Sequence, residues 1–337
     1  MRSEASTLVA RPYANEDEPA VLELLESSLG GGPAGYRPAE FFRWKHLENP
    51  FGTSFLLIGE TNGRIVGLRA FLRWRLRIGD EAVAAVRAVD TATHPQHQGM
   101  GVFTRLTRRA LEDLRHQIDL VFNTPNAKSL PGYLKMGWQP VGTFRPSVRI
   151  RRPGALVRAV TDGEPRSSRP EIDAPRAVTA LEDLEAVDRL LQAADETDGR
   201  LRTDRTAAYL RWRYARAPLL DYRAIVTRSG TDIDGIALFR VRSRVGAWEA
   251  TVAEVIVPRG DVGEARRLLR GIARSCPVDV LTARFPAGTT GARAIRRSGF
   301  VPVPRGMTLV VNPLRTIGVD PGRSESWALG LGDLEVF

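Results

Sequence analysis

The spacing of apolar residues in the first 150 positions alternates between extended and helical patterns. Residues 8–11 fit a short strand, and apolar side chains at every third or fourth position across 21–29 predict a first helix. A second helical segment carries Phe41, Phe42 and Trp44.

Three strands joined by tight turns come next. They cover 54–60, 65–78 and 82–93, and the pairs Asn62-Gly63 and Gly79-Asp80 supply the turn residues of hairpins. The remaining elements are an amphipathic helix near 102–114, a buried strand at 120–122, a helix at 129–136 and strands between 138 and 150. The predicted order of elements is βααβββαβαββ.

A linker and a second copy of this pattern follow. Residues 151–175 are rich in proline, glycine and serine and predict a linker. Beyond it, the segment 41–46 aligns with 209–214, and the same offset relates Gly67 to Gly235. A register kept over about thirty residues predicts a duplicated fold. We therefore expect a first domain at 1–150, the linker at 151–175, a second domain at 176–313 and a tail at 314–337.

The composition agrees with two globular domains. The chain has 337 residues, of which 43% are hydrophobic and 26% charged, as in ordinary folded proteins of this size. Its only cysteine, Cys276, cannot form an intrachain disulfide, which suits a reducing cytoplasm. We expect neither export nor membrane insertion, because no apolar segment resembles a signal peptide or a membrane span.

The charge of the chain favours anionic ligands without naming one. The formal net charge is +10, and all but three of the 49 basic residues are arginines spread along the whole sequence. Distributed basic charge attracts phosphorylated cofactors as well as nucleic acid. The spread indicates a general arginine bias rather than a nucleic-acid patch.

The segment 89–106 carries the strongest chemical signal. A predicted strand runs into a loop containing Gly99 and Gly101 and then directly into a helix. Free main-chain N–H groups and the positive end of the helix dipole converge at such a junction and bind anions. The two glycines lack a Cβ, so a diphosphate can approach the main chain closely. The alternative is an ordinary helix cap with flexible glycines.

This loop and its surrounding elements resemble the GNAT superfamily of acyl-CoA-dependent N-acyltransferases, whose pyrophosphate loop reads Gln/Arg-x-x-Gly-x-Gly/Ala. Two registers fit, one beginning at Gln96 and one at Gln98, and both leave the backbone of 99–104 around the phosphates. The resemblance implies acetyl-CoA as co-substrate and no metal. It also implies an α/β (α+β) fold of two tandem domains, each with a twisted, mostly antiparallel sheet and helices on both faces. The cofactor-binding residues it implies are Thr91, Ala92, Thr93, Gln98, Gly99, Met100, Gly101, Val102, Phe103, Thr104 and Asn126.

A second motif supports the same resemblance. Asn126, Tyr133 and the pair Gly137-Trp138 are similar to the family's Asn…Tyr-x-x-x-Gly-aromatic signature. The resemblance implies that Asn126 contacts the cofactor arm and that the Tyr133 hydroxyl protonates the departing thiolate. The simpler alternatives are a turn residue at Asn126 and a packing aromatic at Tyr133.

The general base has two candidates. Asp90 precedes the strand end that the resemblance assigns to cofactor contact, although a hydrogen-bonded strand aspartate is the simpler interpretation. In the similar Eis-type acetyltransferases the C-terminal carboxylate is the base, which here would belong to Phe337. Covalent catalysis by Cys276 and metal binding by His94 and His97 are not expected, because suitable partners are missing from their sequence neighbourhoods.

The second half departs from the family pattern where the chemistry is needed. Asp261 and Glu264 stand at the position of the phosphate loop, and Ile295 stands where a tyrosine is required. We therefore expect a non-catalytic second copy. The sequence favours an N-acetyltransferase acting on a primary amine of a small molecule, which a second domain could help to enclose. The alternatives are a non-enzymatic module that binds acyl-CoA or nucleic acid, and a protein-lysine acetyltransferase. The sequence does not indicate the oligomeric state.

Overall fold

The computed structural model describes residues 8–29, 38–154, 168–195, 198–244 and 246–334. These residues form two compact units. The first unit comprises residues up to Gly142 together with Leu309–Gly322, and the second comprises Thr143–Thr308 together with the segment that starts at Arg323. Among the described residues, no helix combines the length and the hydropathy needed to cross a membrane.

A central mixed sheet organises the first unit. Its strands are β1 (Val9–Pro12), β2 (Phe55–Thr61), β3 (Arg64–Ile78), β4 (Glu81–Thr93), β5 (Leu120–Asn123), β6 (Gln139–Phe144) and β14 (Met307–Pro313). They lie in the order β1-β2-β3-β4-β5-β14-β6. Neighbours from β1 to β4 are antiparallel, β4 and β5 are parallel, and β5 and β14 are antiparallel.

Two helix layers cover this sheet through separate hydrophobic clusters. The helices are α1 (Glu18–Leu29), α2 (Ala39–His46), α3 (Val102–Leu114) and α4 (Leu130–Lys135). One cluster joins Leu25 and Phe42, from α1 and α2, to Leu68 of β3. The other joins Leu106 of α3 and Tyr133 of α4 to the sheet. The predicted helices on both faces are therefore confirmed for this unit.

The second unit repeats this plan. Its sheet contains the strands β7 (Ser147–Ile150), β9 (Tyr222–Ser229), β10 (Asp232–Arg244), β11 (Ala247–Ile256), β12 (Val280–Ala283) and β13 (Val301–Pro302). These strands lie in the order β13-β7-β12-β11-β10-β9. A short strand β8 (Arg202–Thr203), which is not part of this sheet, lies between β7 and β9 in the sequence. The α-helices are Ala177–Ala180, Leu184–Ala193, Ala207–Leu210, Val262–Ser275, Thr290–Arg297 and Leu331–Leu334. As in the first unit, antiparallel strands lead to one parallel pair, here β11 and β12.

The last strand of each half of the sequence belongs to the sheet of the other half. Strand β7, which the sequence placed with the first domain, pairs with β12 and β13. Strand β14, which the sequence placed with the second domain, pairs with β5. Strand pairing thus crosses the predicted domain limits, 1–150 and 176–313. That each of these ranges is a domain stays a prediction.

Candidate active site

Strands β4 and β5 separate in the middle of the first sheet. They pair in parallel only from Ala85 to Arg87, opposite Leu120 to Phe122. Strand β4 then continues to Thr93, whereas β5 ends at Asn123. The edge of β4 beyond Arg87 is therefore not paired to β5, and such an edge offers main-chain hydrogen bonds to an extended ligand.

A β-bulge deforms β4 at this point. Leu68 pairs with Ala92 and Ala70 with Val89, so Asp90 and Thr91 both oppose the single residue Arg69. Asp90 has φ of 40°, a left-handed conformation that aspartate tolerates better than most side chains. Bulges re-aim side chains and end regular pairing, which suits a site at the strand divergence.

The loop after β4 is open toward an incoming ligand. Gly99 and Gly101 have φ of 77° and 78°, and a Cβ built at either position meets no atom within 4 Å. The Gln98 side chain folds back, and its Nε2 donates to the Thr93 carbonyl at 3.3 Å. Gln98, Gly99 and Gly101 are exposed. The loop therefore leaves room beside the main chain where a diphosphate would lie.

Among the described residues, no side chain caps the N-terminus of α3. Gly101 is its N-cap residue, and the first intrahelical bond runs from Arg105 N–H to the Gly101 carbonyl at 3.0 Å. The N–H groups of Val102, Phe103 and Thr104 precede that bond and so have no partner within the helix. Free N–H groups at a helix N-terminus bind phosphate and carboxylate groups. The start of α3 is thus built as an anion site.

The second copy uses the equivalent groups internally. Asp261 caps the helix Val262–Ser275 by accepting the Glu264 N–H at 2.8 Å. The Gly260 N–H donates to Thr290 Oγ1 at 3.0 Å. Carboxylate and hydroxyl oxygens therefore occupy main-chain donors that remain uncapped in α3, in line with the predicted loss of phosphate binding.

Tyr133 lies next to this anion site. Its side chain is 2% exposed, and its ring packs edge-on against Phe103 of α3 and beside Trp138, with centroid distances of 5.4 and 4.6 Å. The hydroxyl accepts a hydrogen bond of 2.9 Å from Arg69 Nη1. The same Nη1 donates to Thr91 Oγ1 in the bulge. Tyr133 is thus both a packing residue and a hydroxyl joined to β4 through Arg69.

Asn126 organises the turn that leads into α4. Its Oδ1 accepts the N–H groups of Lys128 and Ser129 at 3.0 and 2.9 Å. This is the turn geometry that asparagine commonly forms. A contact between Asn126 and a cofactor arm stays a prediction.

Asp90 belongs to a buried polar cluster on the opposite face of the sheet. Lys45 Nζ lies 2.6 Å and His46 Nε2 lies 3.0 Å from Asp90 Oδ2. His46 Nδ1 in turn lies 3.0 Å from Ser54 Oγ. Lys45 and His46 are 2% and 0% exposed. The Asp90 carboxylate therefore links α2 to the bulge of β4. Its role as general base stays a prediction.

A similar contact in the second copy supports the structural role. Tyr214, which the duplication aligns with His46, donates its hydroxyl to Glu254 Oε1 of β11 at 2.8 Å. Both side chains are buried. In both copies, an acidic side chain of the central strand thus contacts the helical segment that precedes that strand in the sequence. The second copy keeps this contact although Asp261 caps its helix.

The structure gathers most of the predicted donor-site residues at the end of β4 and the start of α3. These are Thr91, Ala92, Thr93, Gln98, Gly99, Met100, Gly101, Val102, Phe103 and Thr104. Phe337 lies outside the described residues, so its role stays a prediction. Sequence reasoning did not identify Arg69, Lys45 or His46. Arg69 had one available signal, since it interrupts an apolar run of β3 that is expected to be buried.

Two further expectations concern metal binding and the reactivity of Cys276. Within the described residues, no three His, Cys, Asp or Glu side chains form a cluster that could hold a metal ion. Cys276 is buried in the core of the second unit, and burial raises the pKa of its thiol. A raised pKa disfavours the thiolate that nucleophilic catalysis requires.

Together, these features define an α/β domain with a candidate anion loop beside two parted strands. The family model for the acetyltransferase (GNAT) domain matches residues 9–141. This part of the chain belongs to the GNAT superfamily, which confirms the resemblance seen in the sequence. No curated protein matches the chain by sequence.

Solved structures share the fold over nearly the whole chain. A GCN5-related N-acetyltransferase from Anabaena variabilis has a TM-score of 0.65 at 12% identity, covering 92% of this chain and 73% of its own. A probable N-acyltransferase from Enterococcus faecalis has a TM-score of 0.62 at 14% identity, with coverages of 92% and 73%. Eis1 from Mycobacterium abscessus has a TM-score of 0.53 at 17% identity, with coverages of 91% and 74%. The likeness extends over both units, which supports the tandem fold.

Proposed function

We propose that the first unit transfers an acyl group, preferably acetyl, from acyl-CoA to a primary amine of a small molecule. The observation that carries this proposal is the uncapped N-terminus of α3 beside the divergence of β4 and β5. An anion site next to a strand edge that has parted from its parallel neighbour fits a ligand with a diphosphate and an extended amide-containing arm. The preference for a small acceptor rests on the tandem organisation alone.

Each part of the site has a role in this reaction. The N–H groups of 102–104 bind the diphosphate, and the edge of β4 beyond Arg87 holds the arm through main-chain hydrogen bonds. A main-chain N–H near Thr91–Thr93 stabilises the oxyanion that forms when the amine attacks the thioester carbonyl. Tyr133 gives its proton to the departing thiolate. Direct attack needs no covalent enzyme intermediate.

The acceptor amine must lose a proton before or during attack. A lysine-like amine has a pKa near ~10.4, so it is mostly charged at neutral pH and needs a base or a water relay. Asp90 and the carboxylate of Phe337 are the two candidates for this base.

Thiol release from acetyl-CoA tests this function directly. The full chain is assayed with an amino sugar, an aminoglycoside, an amino-acid amine and a lysine-containing peptide, and the acylated product is identified by mass spectrometry. We expect release with at least one of the three small amines. Binding of acetyl-CoA without release in any assay would point to a sensor module, and release with the peptide alone would point to a protein acetyltransferase.

Replacing Tyr133 by phenylalanine should lower kcat about hundredfold, the usual loss when one general acid is removed. The KM for acetyl-CoA should change little, because the ring contacts with Phe103 and Trp138 remain. Steady-state kinetics of thiol release measures both values. The control is Tyr13→Phe, since Tyr13 packs on Phe42 in the other hydrophobic cluster. A normal kcat for Tyr133→Phe would refute the acid assignment.

A further inference from the structure

Arg69 is an arginine placed in the hydrophobic interior of the first unit. Its side chain is 0% exposed. The guanidinium carbon lies 4.3 Å from the centroid of the Phe71 ring and 5.5 Å from that of Phe103. Aromatic faces attract a desolvated cation, but they do not neutralise it. Burying a charged guanidinium costs free energy, so an arginine at this position calls for an explanation other than packing.

No acidic partner among the described residues accounts for the burial of Arg69. Across the described ranges, no carboxylate forms an ion pair with it, and its Nε and Nη2 have no hydrogen-bond partner. Its hydrogen bonds leave from Nη1 and end on the Tyr133 hydroxyl and on Thr91 Oγ1. The positive charge is therefore directed at the tyrosine and at the bulge, and no carboxylate of the described residues balances it.

The direction of the Arg69–Tyr133 hydrogen bond is set by chemistry. A guanidinium has N–H donors and no acceptor, so the phenol oxygen must be the acceptor in this 2.9 Å contact. The phenolic proton then points away from Arg69 and remains available to another acceptor. A phenolate formed by loss of that proton would face a cation at hydrogen-bond distance.

We propose that Arg69 is a positioning residue for acid catalysis by Tyr133, an inference that rests on the proposed function. When the thioester C–S bond breaks, the thiolate takes the Tyr133 proton, and Arg69 stabilises the phenolate left behind. The phenolate regains a proton from solvent, and the amine delivers its own proton to solvent or base, so the exchange balances. The phenolate formed during turnover thus supplies a negative charge that no described carboxylate supplies to Arg69 in the resting protein.

A double-mutant cycle on kcat tests whether Arg69 acts through Tyr133. Arg69→Met keeps most of the side-chain volume and removes the charge, and we expect it to lower kcat about thirtyfold in the wild-type background. In the Tyr133→Phe background the same substitution should change kcat by less than about threefold, because the two residues act as one unit. Arg69→Lys, which restores a cation and a donor, should recover kcat to within about tenfold of wild type.

Arg87→Met is the matched control. Arg87 is 1% exposed and stacks on Trp74 and Phe122, with centroid distances of 5.2 and 5.0 Å. We expect this control to change kcat by the same factor in both backgrounds. Thermal melts of all variants verify folding, and Arg69→Lys carries the test if Arg69→Met does not fold.

Two results would overturn the role of Arg69 while leaving the transferase function intact. One is an equal loss of kcat from Arg69→Met with and without the Tyr133 hydroxyl, which means independent action. The other is a rise in the KM for acetyl-CoA at unchanged kcat, which means that Arg69 binds the donor. Failure of the proposed function itself would be seen earlier, as wild-type protein that releases no thiol.

Discussion

Replacing Gly101 by aspartate should weaken acetyl-CoA binding about thousandfold without unfolding the protein. The new carboxylate would cap α3 and accept N–H groups that bind the diphosphate, and losing two charge-assisted hydrogen bonds removes about 4 kcal/mol. It would also repel the phosphates. The backbone strain of a side chain at φ 78° is about 1 kcal/mol, which a good N-cap offsets. Calorimetric titration with acetyl-CoA measures the dissociation constant.

Two control variants separate charge from strain in this experiment. Gly101→Asn has nearly the same shape and capping ability as aspartate without the charge, so its loss of affinity should be about tenfold, one lost hydrogen bond. Gly79→Asp introduces the same charge at a left-handed glycine of the β3–β4 hairpin, where a Cβ also meets no atom within 4 Å. It should bind acetyl-CoA normally. Unchanged binding by Gly101→Asp would rule out the loop as the diphosphate site.

The order of elements in the first unit follows from local sequence signals. Apolar spacing placed α1, α2 and α3, and the Asn62-Gly63 turn between β2 and β3 has positive φ at both residues, as a tight hairpin requires. The partner sheets of β7 and β14 could not be predicted in this way. Both are short strands, and the pattern of apolar residues in each does not identify the strand with which it pairs.

The candidate site was predictable where main-chain geometry defines it. The glycines and the strand-to-helix junction locate the phosphate loop without any side-chain contact, because backbone N–H groups do the binding. The bulge at Asp90 and Thr91 could not be foreseen, since it depends on the pairing register with Arg69. The contacts of Lys45, His46 and Arg69 join residues far apart in sequence, and periodicity alone does not identify such pairs.

Replacing Asp90 by asparagine should lower the free energy of unfolding by about 3 kcal/mol, because it removes the carboxylate that lies 2.6 Å from the buried Lys45 ammonium. Asparagine tolerates the left-handed φ of 40° at this position and has the size of aspartate, so the loss of charge is the main change. Urea unfolding of the full chain, followed by circular dichroism, measures the difference. Unchanged stability would show that the ion pair contributes nothing to the fold.

Adding Lys45→Met to Asp90→Asn separates the structural and catalytic roles of Asp90. Removing both charges of a buried pair is often close to neutral, so the double variant should regain most of the lost stability. Its rate of thiol release then identifies the base. If stability returns and turnover does not, the carboxylate of Asp90 takes the amine proton. If both return, Asp90 only holds α2 against the bulge, and the proton goes to another group, for which the Phe337 carboxylate is the remaining candidate.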